Sequence, residues 1–495
     1  MKKRLDYIYR VQKEISLLGG IGALIGWDHR TYMPRLGDKS RAEQSAYLSK
    51  LMHEKIISNK FFSEVKKLRG KVDGKDKIVV ERVYKDLIIS RKLPVEFVEE
   101  MSRTGSLAYN AWDEAKKKSN FKIFEPHLKK IINLKQQECK YLDFSGHPYN
   151  GLLNYYEEGM TAEKLKPIFE KLKIDLIELL SEIKRSDKYK EKYDFLNKQY
   201  DKERERKLDL ELKDLMGLKD EFSRIDISSH PFTTSPGMND ARITYWFKDR
   251  EPMASFLAVA HEAGHALYEL GLPEKYAYTF VHDAPSLGLH ESQSRFWENM
   301  IARGKPFWKF FYPKFRKEFS HLKNISFDRW YEGINQIRPS FIRVEADEVT
   351  YGLHIILRFE IELGLIDGSI KVNDLPEIWN KKMNEYFGLN VKNDREGVLQ
   401  DMHWSDGGVG YFPTYVIGTI YAAQLYEQMI KENPNFVKDI RKGKFGNILK
   451  WLRKNVHQYG RELTAEEIIK KVCGSGLNPD AYISYLRKKY LDIYK

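Results

Sequence analysis

Little in this chain ties it to an oxidising compartment or to a membrane. Only 2 of its 495 residues are cysteine. Cys139 and Cys473 lie too far apart in sequence to form a disulfide framework or a cysteine-type metal site, so a reducing, cytoplasmic setting is expected. With 32 glycines and 17 prolines, the chain has too few of either for a fibrous or linker-rich protein. No hydrophobic run reaches the roughly 20 residues that span a bilayer. The longest low-charge stretch, Ile15 to Trp27, is shorter and holds four glycines. A secretory leader is not expected either, because Asp6, Arg10, Lys13 and Glu14 interrupt any apolar core behind Lys2, Lys3 and Arg4. Runs of five or more like charges are missing, as is a basic stripe interleaved with aromatics. The excess of 84 Lys and Arg over 71 Asp and Glu, 84 − 71 = +13, therefore does not mark a nucleic-acid binder. From Ser181 to Asp220 acids and bases alternate, as on a solvated helix laced with i,i+4 pairs.

Hydrophobic residues at 42% and charged residues at 31% supply enough apolar area to fold. Length alone suggests about three domains, but no linker or repeat divides the chain. It reads as one mainly α domain over 1–495, with a helical half over about 1–225 and a metal- and substrate-binding half over about 226–495 around a cleft. Segments such as Lys164 to Ile183 carry apolar residues at three- and four-residue spacing. Alternation with period two is clearest in Ala241 to Phe247. The turn cluster Ser235 to Asp240 separates that run from Pro231 to Thr234, which predicts a hairpin in a small antiparallel sheet.

Five of the 13 histidines fall between 230 and 290: His230, His261, His265, His282 and His290. Two of them frame His261-Glu262-Ala263-Gly264-His265, inside an apolar helix that opens near Pro252 and stops at Gly271 and Pro273. Chance supplies roughly 0.03 copies of H-E-x-x-H in a chain of this composition. At i and i+4 the two imidazoles lie one turn apart on one face and can share a metal, while Glu262 sits about 100° round the axis, placed to serve a water rather than the ion. Glu269 continues the line, but three side chains spread along about 12 Å of helix cannot meet at one ion. The third ligand must come from another element. A second helix start at Pro285-Ser286 puts Glu291 in its first turns, opposite the pair. His290 and Glu298 compete for the role, and Glu298, two turns further on, is better placed to orient a ligand. Three protein ligands with one open position describe a catalytic zinc, which acidifies a water to a pKa of about 7; Glu262 as general base then makes amide hydrolysis the expected reaction.

Several blocks of the chain together resemble the carboxypeptidase Taq type of thermostable metallocarboxypeptidase. They are Trp27-Asp28 through Met33-Pro34, His230-Pro231-Phe232, Asp240-x-Arg242-x-Thr244, the metal helix, His290-Glu291-Ser292-Gln293, Ile342-Arg343-Val344-Glu345-Ala346-Asp347 and Gly397-Val398-Leu399-Gln400-Asp401-Met402-His403-Trp404. The resemblance implies a helical, cleft-containing fold, a zinc or cobalt ion, a homodimer, and removal of residues one at a time from peptide C-termini. It also implies that His230, Asp240 and Arg242 lie where the cleft is closed off.

A free C-terminal carboxylate is best met by arginine, whose planar fork matches it. Arg242 is one candidate, although an ion pair with Asp240 explains it equally well. Arg343 is the other. Asp347, Tyr351, His354 and Arg358 follow it at offsets of 4, 8, 11 and 15, which predicts one polar helical stripe facing the cleft. Oxyanion donors are sought around Gly407-Gly408-Val409-Gly410, among His403, Tyr411 and Tyr415. Similar peptidases use a His and a Tyr some twelve residues apart, which favours Tyr415. Asp401, Asp283 and Glu298 are candidates to orient a metal histidine. Two other classes stay open: an endo-oligopeptidase with the same metal chemistry, and a non-enzymatic binding protein, against which the intact Glu262 argues.

Overall fold

The computed structural model describes residues 1–495. It is a mainly helical molecule with one small sheet, and the elements that build the site can be followed in chain order. Helix α1 (Lys2–Thr31) opens the chain, α2 (Tyr149–Asn154) is a single short turn-and-a-half, and α3 (Lys202–Met216) begins behind the Asp201 cap. Strands β1 (Ser223–Ile227), β2 (Thr233–Gly237) and β3 (Asp240–Tyr245) follow. Then come α4 (Pro252–Glu269), α5 (Leu287–Arg295), α6 (Tyr351–Asp367) and α7 (Pro413–Glu432).

The expected hairpin forms: β2 pairs antiparallel with β3, and the register breaks between Thr234 and Gly237. The sheet is not purely antiparallel, however. Strand β1 adds to the far edge of β3 in parallel, giving the order β1-β3-β2. Its sequence, Ser-Arg-Ile-Asp-Ile, escaped notice because it is short, with Arg224 exposed and none of its residues fully buried.

Two hydrophobic cores result. A large one runs from Ala108 to Tyr494 and takes in β3 and α4 to α7. A smaller one joins Ile8, Val11 and Ile15 of α1 to Phe61, Val65, Val79, Val83 and Leu87, and closes on Tyr276 and Val281. Helix α1 also packs on the hairpin, where Trp27 meets Phe232 edge to face at 5.4 Å between ring centroids. No helix is long and apolar enough to cross a membrane.

Candidate active site

Pro252 at the first turn of α4 and the apolar run behind it bury the helix, and with it Glu262, on the floor of a cleft of about 940 Å³. Helix α5 starts at Ser286, whose hydroxyl accepts from Leu289 N at 3.0 Å. The buried carboxylate of Glu157 completes this cap by accepting from Gly288 N. Two glycines then bring the backbones together. A Cβ at Gly264 of α4 would stand 2.7 Å from the Gln293 carbonyl oxygen, and one at Gly418 of α7 would stand 2.8 Å from Glu291 Cβ. Helix α5 is thus squeezed between α4 and α7, and Glu291 is brought against the histidine pair.

One atom each from His261, His265 and Glu291 lie within 4.8 Å of one another. Glu291 Oε2 is 3.5 Å from His261 Nε2 and 3.3 Å from His265 Nε2. Two imidazoles and one carboxylate could hold a metal ion, and the tautomer fits: Nδ1 of His261 faces Glu298 Oε2 at 2.9 Å, leaving Nε2 free. The other oxygen of Glu291, Oε1, accepts from Arg295 Nε at 2.7 Å, while Ser294 Oγ reaches Oε2 at 3.0 Å. Arg295 also donates to Glu298 Oε2 at 3.1 Å. Burial opposes the charge on both carboxylates, but Arg295 and His261 hold Glu291 well below the usual carboxylate range and bring Glu298 down to about 2. His290 stands outside the trio. Its ring stacks on His265 at 4.3 Å and its Nε2 pairs with Glu269 Oε1 at 2.8 Å.

Glu262 lines the same cleft as His261 and is held by a partner on the hairpin. Thr233 Oγ1 on β2 donates to Glu262 Oε2 at 2.6 Å. Burial pushes the Glu262 carboxyl above its ordinary range.

The arginine candidates are both engaged. On β3, Arg242 Nε and Nη2 bond Asp240 Oδ1 and Oδ2 at 2.8 and 2.9 Å, and its guanidinium lies 5.9 Å over Trp27. His230 is exposed in the turn before β2, its ring 5.7 Å from Trp246, which lines the cleft. Arg343 is buried, with Nε and Nη2 on Asp401 Oδ1 at 3.0 and 2.8 Å. The polar stripe predicted from Arg343 to Arg358 is not one helix. Arg343–Glu345 is a 3₁₀ turn, Ala346 is extended, and α6 starts only at Tyr351. Asp347 interrupts the helical register by capping, accepting from Val349 N, Thr350 N and Arg338 N. Arg343 and Arg358 nevertheless converge, because Arg358 Nε reaches the other oxygen of Asp401 at 2.7 Å. Asp401 therefore serves two arginines and not a metal histidine, and they hold it far below the usual carboxylate range against the cost of its burial.

Arg343 sits 5.2 Å over the Tyr415 ring and 5.7 Å over Phe412. Tyr415 Oη is 3.4 Å from His403 Nε2, and Tyr411 packs against both, with ring centroids 5.3 Å from Tyr415 and 5.4 Å from His403. Burial, aided by Arg343 and Arg358 and opposed by Asp401, pushes His403 down to about 4, so it is neutral at pH 7. The structure thus groups His403, Tyr411, Tyr415 and Arg343 in one cluster, and His230, Asp240 and Arg242 at the hairpin.

The family model described as carboxypeptidase Taq (M32) metallopeptidase matches residues 8–490. The chain is 37% identical over 482 residues to thermostable carboxypeptidase 1 of Pyrococcus furiosus, covering 97% of each chain. It is 37% identical over 486 residues to carboxypeptidase 1 of Bacillus subtilis, again covering 97% of each. Among solved structures, the M32 carboxypeptidase from Deinococcus radiodurans R1 superposes with a TM-score of 0.97 at 32% identity, over 99% of both chains.

Proposed function

This chain belongs to the carboxypeptidase Taq (M32) metallopeptidase family and is a metal-dependent carboxypeptidase, and from that premise we propose how its own residues divide the work. His261, His265 and Glu291 hold the ion, zinc in this reading with cobalt as a substitute. When bound, the ion would supply Lewis-acid polarisation of the scissile carbonyl and acidify water. Glu262 removes the proton from the attacking water and returns it to the leaving amine. Thr233 holds its carboxylate in line for both transfers. Its raised affinity for a proton suits a base that must later act as an acid.

Charge developing on the carbonyl oxygen is met by His403 and Tyr415, with Tyr411 packed behind them. A neutral imidazole still carries one N–H, so the low basicity of His403 leaves it a donor at pH 7. The terminal carboxylate of the peptide is anchored by Arg343, whose Nη1 is not engaged by Asp401. Arg242, locked to Asp240, and His230 shape the end of the cleft. The mixed lining of the cleft, where Tyr193, Trp246 and Met253 stand beside Lys192, Lys248 and Arg338, supports broad side-chain tolerance. A homodimer acting on peptides in the cytoplasm completes the reading, and the scarcity of cysteine supports the compartment.

The observation that carries this reading is the His261, His265, Glu291 grouping with Glu262 on the same helix. The test is digestion of a peptide with a free C-terminus, followed by mass spectrometry with and without a chelator. Stepwise loss from the C-terminus that stops with chelator and returns with zinc supports it. Internal fragments as first products favour an endo-oligopeptidase.

A further inference from the structure

One buried acid outside this machinery touches the loop that carries it. Glu362 lies on α6, one turn beyond Arg358, and is fully buried. Three donors, two from one loop and one from α2, converge on it. Trp404 Nε1 donates to Oε1 at 2.8 Å, and Gly410 N and the Tyr149 hydroxyl donate to Oε2 at 3.1 and 2.6 Å. Trp404 is the neighbour of His403, and Gly410 is the neighbour of Tyr411. Arg358, one turn earlier, takes hold of the same loop at Asp401 and at Gln400 Oε1, the latter at 2.8 Å. Two successive turns of α6 therefore grip the loop before His403, just after it and just before Tyr411. On its far side the loop is closed by Gly410, at φ 95°, where a Cβ would stand 3.0 Å from the Leu152 carbonyl carbon of α2, the helix that also supplies Tyr149.

We propose that Glu362 is a positioning residue for peptide hydrolysis: it clamps the 404–410 loop so that His403 and Tyr415 stand at fixed separation. The inference rests on the reading of those two side chains as oxyanion donors. An acid in the core with three donors and no counter-charge on its own oxygens is a costly choice for mere packing. Removing it leaves an indole N–H, a backbone N–H and a hydroxyl to be satisfied elsewhere, and two of the three belong to the loop. The groups that face it are Tyr149 and Tyr156 from the α2 region and Arg358 from its own helix. Burial, opposed by the three donors, pushes it up to about 7.

The experiment compares wild type with Glu362→Gln and Tyr149→Phe, each loaded with zinc and labelled with 5-fluorotryptophan. The Trp404 resonance is identified by its loss in Trp404→Phe. In Glu362→Gln, kcat is expected to fall by about ten- to a hundredfold with KM changed less than about threefold. Metal content and melting temperature should stay near wild type, and the Trp404 ¹⁹F resonance should move. Tyr149→Phe removes a donor without touching the loop and should lower kcat less. Wild-type kcat in Glu362→Gln with an unmoved Trp404 signal overturns the clamp. A proportional loss of metal, melting temperature and both kinetic constants makes Glu362 structural only and also overturns it. If instead His403→Ala retains wild-type kcat, the catalytic reading of the loop fails, while the ¹⁹F shift still decides whether Glu362 holds it.

Discussion

Changing the charge at the end of a substrate tests the anchor most directly. The pair is one peptide with a free C-terminal carboxylate and the same peptide as its amide. From residue types alone, two bidentate bonds to an arginine fork would discriminate at least about a hundredfold, each bond to a charged group being worth roughly 1.5–3 kcal/mol. The structure lowers that figure. Nε and Nη2 of Arg343 already point at Asp401, at 3.0 and 2.8 Å, so Nη1 is what remains for the substrate. One bond of about 1.5–3 kcal/mol, at about 1.4 kcal/mol per tenfold, gives a ratio of about 10 to 150 in kcat/KM. Arg343→Lys cannot serve Asp401 and a substrate together, because an ammonium lacks the fork, and the ratio should collapse toward one. Arg242→Lys should leave it largely intact, since Arg242 is locked to Asp240 beside Trp27 rather than lying over Tyr415. The assay is initial rates on the matched pair with products identified by mass. A wild-type ratio near one, or an unchanged ratio in Arg343→Lys, refutes the reasoning.

Glu262→Gln should keep its metal yet lose several orders of magnitude in kcat, because the base is removed while the three ligands stay; near-normal turnover at full metal content would remove the assignment. Gly418→Ala places a methyl 2.8 Å from Glu291 Cβ and should weaken zinc affinity, measured by competition with a chelating dye, along with about 1–3 kcal/mol of stability. Unaltered affinity would mean that this contact does not set Glu291. Glu157, pushed up to about 8 by burial against the Ser286 and Gly288 donors, contributes stability that is fully present below its ordinary value of 4.5 and is lost as pH rises through 8. From pH 5 to 8 that loss is about 4 kcal/mol at 1.36 kcal/mol per unit, or about 4 °C for a chain of this length. Glu157→Gln should therefore gain about 4 °C in melting temperature on wild type between those pH values, and a constant difference would show that Glu157 does not titrate there.

The grouping of His261, His265 and Glu291 was legible because helical spacing is local: His261 and His265 announce themselves four residues apart, and the start signal at Ser286 puts Glu291 in the first turns of α5. The hairpin was legible for the same reason, through period-two alternation and a turn cluster. What escaped the sequence depends on contacts across the chain. Thr233 meets Glu262 only because the hairpin packs on α4. Gly264 and Gly418 look like ordinary helical glycines until a second helix is laid on them. The Arg343 to Arg358 stripe was read as continuous, since nothing in the spacing distinguishes Asp347 on a helix from Asp347 capping one. Glu362 carries no local signal, because it accepts bonds from residues 42 and 213 positions away.

The squeeze on α5 has a kinetic corollary. Glu291 hangs from a backbone wedged between two others at glycine contact, so its Cα has no room to travel and only its side-chain torsions stay free. Its Oε1 is tethered to Arg295, which narrows those torsions further. Exchange of an ion held there would need no helix displacement and no search for a third donor. If these residues hold the ion, its uptake would be limited by loss of its own water rather than by movement of the fold, and should follow the dehydration rates of different divalent ions.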